Sequence, residues 1–386
     1  MASKSESDLQ EEISLFLCGD VMTGRGVDQI MPRPSPPRLY EPYVKDARVY
    51  VELAEKVNGP IPREVDPDYI WGEALVQLAG MSPDFRIINL ETAVTTSENY
   101  WPGKGINYRM HPANIDCITA ADIDCCVLAN NHVLDWGYAG LKETLATLDK
   151  AGLRHAGAGV NPAEAESPVI LEREEKEGRV VIYSFGFVSS GIPVQWEVSR
   201  EKPGVDLLPD LSATTIRDIA GRVKEVRRKG DVVVASVHWG GNWGYEITDQ
   251  EREFAHGLID EAGIDVFHGH SSHHFKGLEI HRDRPIIYGC GDFLNDYEGI
   301  GGHHAYRADL CLMYFPEIDP ASGRLKRFQL TPLQIRNFQL KKPVTEDIAW
   351  VEAVLNREGR QFGTTVVSRG DGRLDVLWDS FEHQSE

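Results

Sequence analysis

The sequence predicts an α/β protein, a layered sheet core flanked by helices, and three observations lead there. Short apolar runs alternate with longer amphipathic stretches, the rhythm of strands and helices packed in layers. Several of the runs end on polar residues suited to chemistry, as ligand-binding strands of open α/β sheets do. With 386 residues, 41% hydrophobic and 26% charged, the chain can bury a large core, which excludes disordered and fibrous classes.

The strands come in order. Ile13 to Cys18 leads into Gly19-Asp20, Phe85 to Leu90 into Glu91, and Asp124 to Ala129 into Asn130-Asn131-His132. Asp231 to Val237 leads into His238-Trp239-Gly240-Gly241, and Asp265 to Phe267 into His268-Gly269-His270. Apolar residues spaced three to four apart predict helices over Pro112–Ala121, Gly137–Ala151, Ser212–Lys229 and Asp249–Ala262. From Lys276 through Ile335 strand signals dominate (GLEIH, RPIIYGCGDF, ADLCLMYF, KRFQLTPLQI), predicting an antiparallel edge or a second sheet closing the same core. A helix over Thr345–Arg357 and a short strand near Leu374–Trp378 make up the carboxy-terminal segment 345–386. Residues 31–70, rich in Pro, Tyr and charge, break the rhythm and read as an insertion after the first strand, a surface loop or a lid. Residues 1–386 are therefore expected to form a single catalytic domain.

Charge and cysteines narrow the setting. Forty Lys+Arg against sixty Asp+Glu give a net charge of −20, with no basic footprint for nucleic acid. The polar start MASKSESDLQEE shows no signal peptide, and the first apolar run is too short to span a membrane. Six cysteines without CxxC spacing read as buried thiols, so a cytoplasmic enzyme is expected.

Asp, Glu, Asn and His fixed at strand ends are the donors that divalent cations use, and five such ends in one topological position predict a shared metal site. Asp20, Glu91, Asn131, His238 and the pair His270/His273 are the candidates. Within Asn130-Asn131-His132-Val-Leu-Asp135, the Asn offers a carbonyl oxygen, His132 can move protons, and Asp135 on the following turn can orient it. Neighbouring histidines in Gly269–His274 splay apart, so at most two enter one site, and His274 is assigned to the surface.

GDVMTGR (19–25), NLET (89–92), ANNHVLDWG (129–137), VHWG (237–240), GHSSHH (269–274) and RPIIYGCGDFLND (284–296) together resemble the CapA family, named for poly-γ-glutamate capsule synthesis. The resemblance implies a calcineurin-like metallophosphatase fold: an αββα sandwich of two mixed sheets flanked by helices, with the metal at the strand ends. It also implies that Asp20, Glu91, Asn131 and His238 are metal ligands, that His132 is the catalytic histidine, and that 269–274 holds the last ligand, His270. Three departures stand out. Met22 occupies the place of a histidine, the bridging acid is Glu91, and His-Ser-Ser-His replaces His-Pro-His.

Losing one histidine points away from a two-metal phosphoesterase and towards one cation with acid/base groups around it. The sequence most resembles the family's lasso peptide epimerase branch, which inverts the Cα of a carboxy-terminal tryptophan in a ribosomal precursor peptide. The missing export signal and a charge of −20, repulsive to polyglutamate, point the same way. On this reading His132 with Asp135, and His270 or His273 with Asp20 or Asp292, form opposed acid/base pairs. Arg25 is expected to hold the peptide carboxylate, and Trp239, with Trp101, Trp136 and Trp243, to stack on its indole. The alternative is a CapA-type polyglutamate-related enzyme or a metallophosphoesterase. The cofactor is a divalent ion, Ca2+ foremost, with Mn2+, Mg2+ or Zn2+ as alternatives, and the partner is a precursor peptide.

Overall fold

The computed structural model describes residues 12–173 and 178–379; the amino-terminal reading concerns residues 1–11, which lie outside these. The strands of a first sheet open the chain: β1 (Ile13–Val21), β2 (Phe85–Leu90), β3 (Cys125–Val127) and β4 (Arg154–Ala156). A second sheet follows, with β5 (Val169–Glu172), β6 (Arg179–Gly186), β7 (Asp231–His238), β8 (Val266–His270), β9 (Leu278–His281) and β10 (Arg284–Ile287). The chain then returns to the first sheet through β11 (Asp292–Leu294), β12 (Leu310–Asp319), β13 (Arg324–Ile335), β14 (Leu340–Lys341), β15 (Thr365–Ser368) and β16 (Leu374–Leu377).

Strand order is β15-β16-β13-β12-β1-β2-β3-β4 in the first sheet, with β11 on β1 and β14 on β13, and β9-β10-β8-β7-β6-β5 in the second. Both sheets are mixed: β1 pairs parallel with β2 and antiparallel with β12, and β8 pairs parallel with β10, which pairs antiparallel with β9. Five longer helices cover the outer faces: α1 (Arg48–Asn58), α2 (Glu73–Met81), α3 (Gly137–Lys150), α4 (Ala213–Val226) and α5 (Asp249–Asp260); α6 (Thr345–Gly359) instead packs Val351, Val354 and Leu355 into the core between the sheets.

Alternation along the strands builds the layers. Leu15 and Leu17 of β1 pack with Val232 and Val234 of β7 and Val266 of β8 between the sheets. Phe16 and Cys18 face the other way, into the helix-side cluster that also takes in Leu141, Leu145 and Leu148 from one face of α3, with Phe16 against Phe293 and Phe315. Val233, Ala235 and Val237 pack beneath α4 and α5. The result is the four-layer helix–sheet–sheet–helix sandwich expected of a calcineurin-like fold.

Four local expectations change. Pro112–Ala121 holds only a 3-10 turn at Pro112–Asn114 and one helical turn at Asp116–Thr119. The strand-rich stretch 276–335 divides, its first hairpin joining the second sheet and its long hairpin the first. β6, the strand Arg179–Gly186 paired along its whole length to β7, is absent from the strands read from sequence and ends on Gly186 rather than on a polar side chain. Segment 31–70 is packed: it carries α1 and buries Leu39, Tyr50, Val51, Ile61 and Val65. The six cysteines are buried and unpaired, and no helix among the described residues is long and apolar enough to cross a membrane.

Gly19 sets the distance between β1 and β11. A Cβ there would lie 1.7 Å from the Gly291 carbonyl oxygen, which is backbone and cannot swing aside. Gly19→Ala is expected to destabilise the protein by about 1–3 kcal/mol in chemical denaturation and to part Asp20 from Asp292, its partner in register.

Candidate metal centre and its flanking histidine dyads

Period-two alternation aims the second sheet's polar residues. Ser236 and His238 continue the face of Val232 and Val234, and His268 and His270 continue that of Val266, so all four enter the space between the sheets at the strands' carboxyl ends. Asp20 would point to the helices by the same count. Between Leu17 and Asp20, however, the β1–β2 register shifts, and Cys18 and Val21 both pack on the helix side. The irregularity flips parity, and Asp20 turns inward to meet the histidines. Asp20, His238 and His270, all fully buried, present donor atoms within 4.8 Å of one another.

The partners of the two histidines dictate their tautomers. The Cys18 carbonyl can only accept, so His268 Nε2–H donates to it at 2.8 Å. His268 Nδ1 then accepts from Ser236 Oγ–H at 3.1 Å, and Ser236 Oγ accepts from His270 Nε2–H at 2.8 Å. His238 Nε2–H donates to Asn131 Oδ1 at 3.1 Å. Both Nδ1 atoms are thereby left as lone pairs, and they face each other at 2.8 Å. Asp20 Oδ1 lies 3.8 Å from His270 Nδ1, and Asp20 Oδ2 is buried without a hydrogen-bond partner. Burial holds both histidines well below their ordinary pKa, so a shared proton does not suit this cleft. Two imidazole lone pairs and an unsatisfied carboxylate fit a divalent cation.

Glu91 adjoins this triad. Asn89 Nδ2 bridges Asp20 Oδ1 at 2.7 Å and Glu91 Oε2 at 3.2 Å. Asn130 holds Asn89 Oδ1 at 2.9 Å and accepts from the backbone N–H of His132 and Val133, fixing the turn that carries Asn131 and His132. Burial, then the neighbouring Asp292, pushes Asp20 up to about 7; burial and Asp20 push Glu91 well above the carboxylate range. Such crowded acids call for positive charge.

Two histidine–aspartate dyads flank Asp20, one on the β2–β3 side and one on the β11 side. His132 Nδ1 meets Asp135 Oδ2 at 2.6 Å, and its Nε2 lies 3.6 Å from Glu91 Oε1. Lys104 Nζ binds Asp135 Oδ1 at 2.5 Å and also the Asn131 carbonyl. On the other side His273 Nδ1 meets Asp292 Oδ1 at 2.9 Å, and Asn295 holds Asp292 Oδ2 at 2.7 Å. Buried Ser271, at φ 106°, makes the turn that sends His273 there. The dyads differ in proton affinity. Burial lowers His132 to about 4, whereas at His273 burial is outweighed by Asp292 and the pKa rises.

The structure thus brings together Asp20, Glu91, Asn131, His238, His270, His132 and Asp135, and of the two candidate bases it pairs His273 with an acid while seating His270 in the metal cleft. Two expected substrate contacts lie elsewhere. The Arg25 guanidinium is buried and bound to both oxygens of Asp296 and to Glu41 Oε1 at 3.0 Å, with the Tyr50 ring 3.9 Å away, so no fork is left for a peptide carboxylate. Trp239 packs on Phe254 and Phe267 under the second sheet and donates its Nε1–H to the Tyr288 carbonyl at 3.0 Å. His274 is buried rather than on the surface, accepting from Gly244 N–H at 3.1 Å. Of the other tryptophans, Trp243 alone has a ring contact with a dyad histidine, 5.3 Å from His273, while Trp136 donates its Nε1–H to the Tyr108 carbonyl at 3.0 Å.

Arg25→Met is expected to destabilise the fold by about 3–5 kcal/mol, because Asp296 and Glu41 would be left buried without a counter-charge. Denaturant unfolding measures the loss, and an unchanged KM for the folded fraction separates it from a substrate role.

Ser236, two positions before His238, is a site residue that the sequence reading does not single out, although strand parity marks it; His268 joins the cleft as one of the strand-end residues expected to converge there. Lys104, in a loop without periodicity, gave no comparable signal.

The sequence profile of the family described as "Bacterial capsule synthesis protein PGA_cap" matches residues 14–297. The chain belongs to this family. Within it, a "probable polyglutamine synthesis accessory protein" of Mycobacterium tuberculosis is 45% identical over 366 residues, 95% of this chain and 96% of that protein. The "PGA biosynthesis protein CapA" of Bacillus subtilis is 27% identical, over 89% of this chain and 76% of that one. A solved structure described as a novel phosphatase from Mycoplasma pneumoniae superposes with a TM-score of 0.46 at 10% identity, over 84% of this chain and 94% of that one. The family match covers β1 through β11, the part of the chain that carries every residue of the metal cleft and both dyads.

Proposed function

We propose that this family member is a metal-dependent hydrolytic enzyme that acts on a glutamate-containing, amide-linked chain. The observation that carries the proposal is the pair of facing Nδ1 lone pairs of His238 and His270 beside Asp20, flanked by dyads of unlike proton affinity. The descriptions of the relatives support a polyglutamate-type substrate. Two imidazole nitrogens among the donors favour Mn2+ or Zn2+ over the Ca2+ first expected.

A divalent ion in the cleft supplies Lewis-acid polarisation of a substrate oxygen and offsets developing negative charge. The chain's own residues move the protons. His132, neutral at pH 7 and donating Nδ1–H to Asp135, keeps Nε2 free to take a proton from water. His273, whose proton affinity Asp292 raises against the effect of burial, is suited to return one to the leaving amine. Lys104 neutralises Asp135 and holds the Asn131 carbonyl, fixing the His132 turn.

The pH profile of turnover is then bell-shaped. The acid limb falls as His132 gains a proton near pH 4, and the alkaline limb falls as His273 loses its proton above its ordinary value. His273→Gln is expected to remove the alkaline limb, measured as kcat against pH.

Epimerisation of a carboxy-terminal residue in a precursor peptide is the second reading, supported by the two dyads reaching Asp20 from different sides. One experiment separates the two. The protein is incubated in deuterium oxide, with and without EDTA, with poly-γ-glutamate and with a tryptophan-ended peptide. EDTA-sensitive release of glutamate or short oligomers supports hydrolysis; one deuteron gained with D-tryptophan, and no cleavage, replaces it with epimerisation; neither product removes both.

A further inference from the structure

A second constellation lies away from this cleft, where α5 crosses the edge of the second sheet. His256 and Asp260 are four residues apart on α5 and so share a face, while Glu279 and His281 alternate onto one face of the edge strand β9. His256, Glu279 and His281 each present a donor atom, all within 4.8 Å of one another. We propose that these three side chains form a second site, for a zinc-like divalent transition metal, with Asp260 orienting His281.

The contacts match what such a site needs. His256 Nε2 lies 3.0 Å from Glu279 Oε1, so these two donor atoms already adjoin, and His281 Nε2 lies 3.0 Å from Asp260 Oδ1, the carboxylate–histidine arrangement that orients metal-binding imidazoles. Tyr288 Oη–H donates to Glu279 Oε2 at 2.6 Å, and Arg252 holds both carboxylate oxygens, Oε2 at 3.2 Å and Oε1 at 2.8 Å, so Glu279 is fixed in place and Oε1 is shared between Arg252 and His256. The His256 and His281 rings stack at 3.8 Å and 7°. Zinc–nitrogen distances of about 2 Å require both rings to turn, which their side-chain exposures of 25% and 20% permit. The two-residue turn Arg282-Asp283, at φ 50° and 58°, closes the β9–β10 hairpin tightly beside His281 and fixes its place. Two histidines and one glutamate leave a fourth position for water, and the bound ion would clip α5 to the edge strand.

Cobalt(II) added to EDTA-stripped full-length protein, followed by visible absorption and metal analysis, tests the site. Wild type is expected to bind one equivalent more than His256→Ala or His281→Ala, while the equivalent lost in Asp20→Asn is a different one. Asp260→Asn, at the exposed end of α5, provides a variant that leaves the packing alone and is expected to weaken cobalt binding about tenfold. Equal stoichiometry and equal affinity in wild type and all three of these edge variants would overturn the proposal.

Discussion

His132→Ala is expected to lower kcat by about a hundred- to ten-thousand-fold while leaving KM nearly unchanged. In the proposed mechanism the imidazole is the proton acceptor, with Nδ1–H fixed on Asp135 and Nε2 beside Glu91. Its removal does not strand a charge, because Lys104 and the Tyr108 backbone N–H still satisfy Asp135. The metal triad keeps its own partners, so cation affinity should survive. Steady-state kinetics with a parallel metal titration checks both halves; wild-type turnover in this variant would remove His132 from the reaction.

Asp20→Asn is expected to abolish activity and cation binding, and at the same time to stabilise the metal-free protein. The folded pKa of Asp20 is raised to about 7 by burial and Asp292, above its ordinary 3.8. Folding therefore favours the protonated acid. The associated stability is present in full below the unfolded pKa and is lost as pH rises through the folded one. At pH 7 the metal-free wild type carries a cost on the order of 1–4 kcal/mol that an amide does not incur. The amide also donates to a lone pair that otherwise faces a carboxylate. In thermal melts the variant should gain stability over stripped wild type as pH rises from 4 to 7, and should show no response to added Mn2+ at this cleft. A stripped variant less stable than stripped wild type at pH 7 would contradict the electrostatic reading.

The fold was legible because its strands announce themselves locally: β-branched runs such as Asp231–His238 and amphipathic helices such as Gly137–Lys150 need no tertiary information. The donors at the strand ends were legible for the same reason. Their directions were not. Asp20 faces the histidines only because of the register shift after Leu17, a feature of the β1–β2 pairing that no local pattern encodes. The choice between His270 and His273 rests on Asp292, which arrives from a strand formed later in the chain. Arg25 was misread because its partner Asp296 lies 271 positions away, so a buried ion pair looked like an open anion clamp. Trp239 sits beside the candidate ligand His238 in sequence, yet adjacent residues of a strand point to opposite faces, and parity sends it into the core.

The measurement that bears most directly on the metal cleft is pulsed electron paramagnetic resonance of the Mn2+-loaded protein. Two directly coordinated imidazole nitrogens should appear as nitrogen couplings, one of which is lost in His238→Ala and the other in His270→Ala, while both persist in His281→Ala. Nitrogen couplings unaffected by the loss of His238 and of His270, or a manganese spectrum without nitrogen coupling, would place the cation outside the cleft and contradict the proposed centre.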